Sequence, residues 1–352
     1  MSNTKSTISS VKLTARLMLA TVVLIAAGGN ALADPILPAG STAGLALGAP
    51  LPQGVYFINT TNFLERSASV ANPALAGVGG TPKIDAAVVL PMAVWSTPWT
   101  VFGGRVEVVG TVPYLAVGTS PNSGLGATGA GTTSWSRDFY NPAGMIGLAW
   151  DLGGGWSFSN FVGAFAPTTN FTSNYTGLGG NYTTFVESAN LAYNQGPWSA
   201  SVNFFYSHSG TNGSNTPATL LALGAPNNNG LRTQPDTAQI DFAVTHHINK
   251  WEIGLVGYGS TDLSTPSGTR LVAALGTGLG TPSGDFNAKQ RQFALGGLIG
   301  YNFGPVIAQF SVTRDIAQSN YSGYDTRVWS RVIIPLWNPD TPAAPRRPLI
   351  TK

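Results

Sequence analysis

The tightest constraint on this chain is a succession of segments with period-two hydrophobicity, joined by connections that are alternately short and long. The segment 99–114 sets the pattern: Phe102, Val106, Val108, Val112 and Tyr114 fall on even positions, whereas Arg105, Glu107 and Thr111 fall on odd ones. Alternate side chains of a β-strand point to opposite faces, so such a segment presents one apolar and one polar face. Twelve strands are read on this basis, at 53–64, 83–95, 99–116, 141–150, 156–166, 181–193, 198–208, 236–248, 251–261, 289–303, 305–316 and 324–337. The connections 96–98, 151–155, 194–197, 249–250 and residue 304 are tight turns, and those at 65–82, 117–140, 167–180, 209–235, 262–288 and 317–323 are longer. An even number of antiparallel strands, with turns on one rim and loops on the other, is the pattern of an outer-membrane barrel. A Greek-key sandwich gives no reason for such regular alternation.

The tryptophans mark the same rim. Trp95, Trp99, Trp150, Trp156, Trp198, Trp251 and Trp337 all stand beside the tight turns or at the end of the last strand, and only Trp135 and Trp329 of the nine lie elsewhere. Indole settles at a membrane interface, where the ring is half buried and its N–H stays wet, so these seven are expected to form an aromatic belt.

The N-terminus supplies the route to that membrane. Lys5, Lys12 and Arg16 precede an apolar run at 17–27 and the small residues Ala31-Leu32-Ala33, which reads as a secretory signal over 1–33. Its removal takes the formal charge from +3 to zero, leaving no basic surface for nucleic acid. Only 9% of residues are charged, well below the quarter or so of a soluble protein. No later apolar run is long enough to span as a helix, since Pro91 and Pro98 interrupt the best one. The reading is therefore all-β: a transmembrane antiparallel up-and-down β-barrel of about twelve strands over 53–337. Residues 34–52, rich in Pro and Gly, form a periplasmic lead-in or a partial plug, and the Pro-rich tail 338–352 is expected to be disordered.

Most strands obey the alternation. Ile240, Phe242, Val244 and Ile248 oppose Thr237, Gln239, Asp241 and Thr245, and Val306, Ala308, Phe310 and Val312 oppose Gln309, Ser311, Thr313 and Asp315. Two strands resist. The segment 156–166 changes parity midway, and 181–193 puts Glu187 in phase with Phe185 and Leu191, so a bulge or a shifted register is expected in both.

Short runs then carry a family resemblance. Leu51-Pro-Gln-Gly-Val-Tyr-Phe-Ile-Asn59, Thr97-Pro-Trp-Thr-Val-Phe-Gly-Gly-Arg105, Asp151-Leu-Gly-Gly-Gly-Trp156, Gly300-Tyr-Asn-Phe-Gly304 and Ile334-Pro-Leu336 resemble the outer-membrane proteins of the phenol meta-cleavage-pathway family. The resemblance spans nearly the whole chain after the signal. It implies a transporter-like barrel of Gram-negative bacteria that takes up small hydrophobic or aromatic compounds, and it carries over no agreed catalytic residues; no cofactor is expected.

For site residues, the strand parity turns Asp85, Arg105, Glu107, Asp241, Glu252, Arg327 and Arg331 inward, where mixed charges form either a bracing network or a polar constriction. The aromatics Trp135, Phe139, Tyr140, Phe171 and Tyr175 fall in the long loops. The only histidines are His208, His246 and His247; the last two are adjacent and face opposite sides of a strand, so no metal site is expected. No Gly-x-Ser-x-Gly elbow stands in a strand-turn-helix context. The expected partners are outer-membrane lipid and small apolar or aromatic solutes, and the expected function is their uptake. The alternatives are an adhesive or structural barrel acting through its loops and, less favoured, a membrane-embedded hydrolase.

Overall fold

The computed structural model describes residues 37–68, 83–119, 134–167, 183–210, 235–264, 289–319 and 323–339. The expected signal at 1–33, part or most of each long loop and the tail beyond 339 lie outside the described residues. The strands are β1 (Gly54–Ala68), β2 (Lys83–Val101), β3 (Gly104–Thr111), β4 (Tyr114–Thr119), β5 (Ser134–Phe139), β6 (Ala143–Gly153) and β7 (Trp156–Phe165). They continue as β8 (Thr184–Gln195), β9 (Trp198–Ser209), β10 (Thr237–Ile248), β11 (Trp251–Asp262), β12 (Arg291–Asn302), β13 (Ile307–Ser319) and β14 (Gly323–Trp337). All pairings are antiparallel, and β1 closes the ring by pairing with both β14 and β2. Since β3 and β4 both pair with β2, and β5 and β6 pair with β4 and β3 in turn, the fourteen segments make a closed barrel of twelve staves.

Prolines explain where the staves break. Pro113 separates β3 from β4 and Pro142 separates β5 from β6, at neighbouring positions where the ring nitrogen can give no ladder bond. Their carbonyls remain paired, with Tyr140 N–H donating to Pro113 O at 2.8 Å and Ala166 N–H to Pro142 O at 2.8 Å. Pro98 behaves otherwise. The sequence reading placed a turn at 96–98, yet β2 runs on to Val101 through a bulge between Ser96 and Thr100. Thr97 supplies what proline cannot: its Oγ1 accepts from Trp99 N–H at 3.1 Å and donates to Val106 O at 2.8 Å. The hairpin turns instead at Phe102-Gly103, both with positive φ, at 51° and 77°, the conformation a tight two-residue hairpin requires. A second correction concerns 117–140, where β4 and β5 extend the wall to Thr119 and from Ser134, leaving a shorter loop than expected.

The two resistant strands contain no bulge. From Trp156 to Phe165, β7 pairs without interruption with β8, and β8 pairs as evenly with β9. Ser157, Ser159, Phe161 and Phe165 all face inward and are buried, so the parity of β7 is intact and it is the lumen that changes from polar to apolar along it. Glu187 faces outward between exposed Phe185 and Leu191, with the Asn160 amide donating to it at 3.3 Å. This is a genuine carboxylate on the lipid-facing wall.

Most of the rest of that wall is apolar. Val162, Phe204, Val244, Leu255, Leu295 and Phe310 are exposed, as residues bathed in acyl chains must be. Trp95, Trp99, Trp156, Trp198, Trp251 and Trp337 are exposed around the short-turn rim, and neighbouring aromatics thicken the band. Ring centroids lie 4.9 Å apart for Trp156–Tyr193, 4.6 Å for Trp198–His246 and 4.7 Å for Trp251–Tyr301. Trp150 lies at the same rim, donating from its indole N–H to Phe102 O at 3.0 Å. Trp329 is buried in the lumen, and the side chain of Trp135 lies outside the described residues.

The face assignment sets opposite outcomes for charge added to and removed from the wall. Val244→Arg or Phe310→Arg should destabilise the barrel by roughly 2–4 kcal/mol in vesicle-based urea titrations. Glu187→Leu should stabilise it by about 1 kcal/mol, because a carboxylate is replaced by lipid-compatible surface. Loss of stability in Glu187→Leu would mean that this face does not meet lipid.

Candidate functional site: a divided lumen

The bore is not empty. Residues 37–52 enter it and follow one side of the wall in a series of turns, with Ser41 N–H donating to Pro38 O, Ala43 N–H to Gly40 O and Leu45 N–H to Thr42 O at 2.9–3.1 Å. Of the two placements considered for 34–52, a lead-in outside the barrel and a plug within it, the described part occupies the second.

What holds the segment is its main chain. Asp241, fully buried, accepts from Gly40 N–H at 2.8 Å, Thr42 N–H at 2.9 Å and Thr42 Oγ1 at 2.7 Å. Arg331 donates from Nη2 to Ser41 O at 2.7 Å and from Nη1 to Ala43 O at 2.9 Å, and its Nε donates to Thr60 at 3.0 Å. Arg327 reaches Ala39 O at 2.8 Å. Asn203 donates to Thr42 O and Leu45 O, Gln309 to Gly44 O, and Ser159 to Leu47 O. From Ala39 to Leu47, each carbonyl that the turns leave over thus finds a wall donor, the condition for burying an irregular backbone. Gly40 is required at its place: φ is +93°, and a Cβ would lie 2.6 Å from the Tyr258 ring.

Above this cradle the charges brace one another. Asp325 is paired with Arg66 at 2.7 Å and Arg327 at 2.8 Å. Gln292 donates to both Asp315 and Asp325 at 2.9 Å, and the Tyr258 hydroxyl donates to Asp315 at 3.2 Å, with the Arg327 guanidinium 5.0 Å from the Tyr258 ring centre. Shared partners and near-complete burial make this a rigid network.

The opposite side of the bore is apolar. Tyr56, Ile58, Leu90, Val94, Phe161, Phe165 and Phe205 turn inward from β1, β2, β7 and β9, and most pack in two buried clusters. Between them and Leu37, Leu45, Leu47 and Leu51 of the inner segment lies a cavity of about 520 Å³ that runs to the short-turn rim at Asn249 and Lys250. The inner segment therefore splits the lumen: its carbonyls face polar wall, its leucines face the cavity.

The residues proposed from sequence divide accordingly. Asp241, Arg327 and Arg331 meet on the inner segment. Glu252 accepts from Gln309 at 2.8 Å at the lower end, and Arg105 donates to Thr97 O at 3.1 Å at the turn rim. Glu107 stands apart from the network, on the cavity side, accepting from Leu51 N–H at 2.8 Å. Asp85 is a correction: it shares the parity of Trp95, opposite Glu65, while Leu90 and Val94 point inward, so it lies on the outer face. The sequence reading missed Arg66, Tyr258 and Asp325, although extending the same parity along β1, β11 and β14 would have reached them, and it set Asp315 on the polar face of its strand without counting it among the site residues. Of the loop aromatics, Phe139 ends β5 and is exposed, while Phe171 and Tyr175 lie outside the described residues. His246 packs on Trp198, whereas His247 borders the lower mouth of the cavity.

This architecture has a name at the level of class, an outer-membrane β-barrel of bacteria. A family model described as "putative MetA-pathway of phenol degradation" matches residues 66–332, and the chain belongs to that family. Among solved structures, an outer-membrane channel of Pseudomonas putida F1 is similar in fold, with 15% identity, a TM-score of 0.60, and coverage of 86% of this chain and 99% of that one. A FadL homologue of Pseudomonas aeruginosa is more distant, at 8% identity, a TM-score of 0.41, and coverage of 87% and 100%. No curated protein matches the sequence.

If the cradle seats the inner segment, Gly40→Val should dislodge it by collision with Tyr258 without unfolding the ring. Planar-bilayer recordings should then show larger conductance than the native chain, and Asp241→Ala should show the same tendency. In a chain lacking 37–51, Asp241→Ala should add little, since coupled changes are not additive. Equal conductance in all five proteins would contradict the cradle.

Proposed function

We infer that the protein is an outer-membrane channel that takes up small hydrophobic or aromatic solutes through the apolar half of its lumen. The observation that carries this reading is the cavity of about 520 Å³, walled by aromatic and aliphatic side chains inside a barrel. Its size falls within the range of small-molecule sites. Water has little reason to fill an apolar cleft, and an apolar solute recovers there the contacts it lacks in solution. The family's description, which refers to phenol degradation, and the similar Pseudomonas structure, an outer-membrane channel, support the same reading. An adhesin would place its binding surface on the loops and would not need an apolar cleft within the wall.

The test is uptake of toluene and similar compounds into vesicles whose outer leaflet is lipopolysaccharide, which slows their passive entry. The native protein should accelerate entry several-fold. Val109→Trp, which fills the cleft from β3, should abolish that acceleration while leaving the barrel folded. Entry no faster than into protein-free vesicles would overturn the reading.

A further inference from the structure

Among the described residues, Glu107 is the charged side chain that β3 contributes to the lining of the cavity, and it is only 3% exposed. It is held in place by β3, whose inward face offers Val109 and Thr111 above it. One oxygen is occupied: Oε1 accepts from Leu51 N–H at 2.8 Å, where the inner segment leaves the bore. Among the described residues this is the only hydrogen bond Glu107 makes. Arg105, next on the same face, donates from Nη1 to Thr97 O at 3.1 Å and acts on Glu107 through its charge alone, and Thr111 donates to Pro91 O at 2.8 Å. The second carboxylate oxygen is thus left bordering the cavity.

Fixing the inner segment does not call for a carboxylate. Ser96 fixes the same residue through its carbonyl, donating to Leu51 O at 2.8 Å with a neutral hydroxyl, and an amide could accept from Leu51 N–H as well. A carboxylate beside apolar surface is costly unless a donor reaches its free oxygen. A solute can be that donor.

We propose that Glu107 is a specificity-determining residue of the cavity, selecting apolar molecules that carry a hydroxyl group and rejecting those that carry a carboxylate. The hydroxyl donates to the free oxygen while the hydrocarbon body packs against Ile58, Met92, Val94 and Phe161. A plain hydrocarbon leaves the oxygen unpaired. A carboxylate solute places two like charges together where little water screens them. The proposal rests on the reading of the cavity as an apolar solute site.

The probes are 2-phenylethanol, ethylbenzene and phenylacetate, which share one ring and differ in the head. Binding is measured by equilibrium dialysis against the full chain in nanodiscs, with empty nanodiscs as the blank. The alcohol should bind on the order of tenfold tighter than either of the others, the ratio expected for one hydrogen bond to a charged acceptor. Glu107→Gln, whose oxygen takes the Leu51 N–H and whose NH2 then faces the cavity, should keep the alcohol, since a hydroxyl oxygen accepts from that NH2, and should admit phenylacetate. Glu107→Leu should erase the preference for the alcohol. Ser96→Ala loosens Leu51 without touching the carboxylate and should preserve the native ranking. Equal binding of all three probes by the native chain, or loss of the ranking in Ser96→Ala, would overturn the role of Glu107 and leave the apolar cavity standing. No binding of any probe above the blank would sink both.

Discussion

The rest of the lumen depends on the grip that Asp241 and Arg331 take on the main chain of residues 40–43. Asp241 collects two backbone N–H groups and a hydroxyl, and Arg331 satisfies two carbonyls. Neither contact reads a side chain other than Thr42, so the cradle recognises backbone conformation. Both groups are buried, and a buried charge is tolerated only where its donors or acceptors are in place. The inner segment and the polar wall therefore complete one another, and neither would be at rest alone.

A barrel of twelve staves is too wide to be filled by its own inward side chains and too narrow to be an open pore of the porin kind. Here the space is shared out by chemistry. The wall from β8 to β14 supplies Asn203, Asp241, Gln309, Arg327 and Arg331, and the segment lies against them. The wall from β1 to β7 supplies Ile58, Leu90, Val94, Phe161 and Phe165, and a cleft remains. The carbonyls of the segment from Ala39 to Leu47 are taken up by its own turns and by wall donors, which lets an apolar path exist next to a polar network.

Much of the wall was legible in the sequence because period two survives translation into a barrel: lipid and lumen are different solvents, and β10 and β13 show both faces cleanly. What was not legible followed from two exceptions. In β7, Phe161 and Phe165 turn inward, and a rule equating inward with polar reads that as a break in parity when it is the cavity itself. Glu187 points to lipid, so it was taken for a register fault. The turn at Phe102-Gly103 was displaced onto Pro98 because Thr97 substitutes for the bonds proline removes, a side-chain contact that no propensity records. The site was harder still. Asp241 and Arg331 could be placed on the inner face, but their partners are backbone atoms of a segment some two hundred or more residues away in sequence, and only the closed ring brings them together.

Amide hydrogen exchange in bilayer nanodiscs tests the central claim, a lumen divided by a seated segment, most directly. The amides of Gly40, Thr42 and Leu51, which donate to buried carboxylates, and that of Leu45, which closes a turn, should exchange orders of magnitude more slowly than in an unstructured peptide of the same sequence. Exchange of these four at the rates of the free peptide, with the strands protected, would show a segment that does not occupy the bore, and the account of the divided lumen would fail.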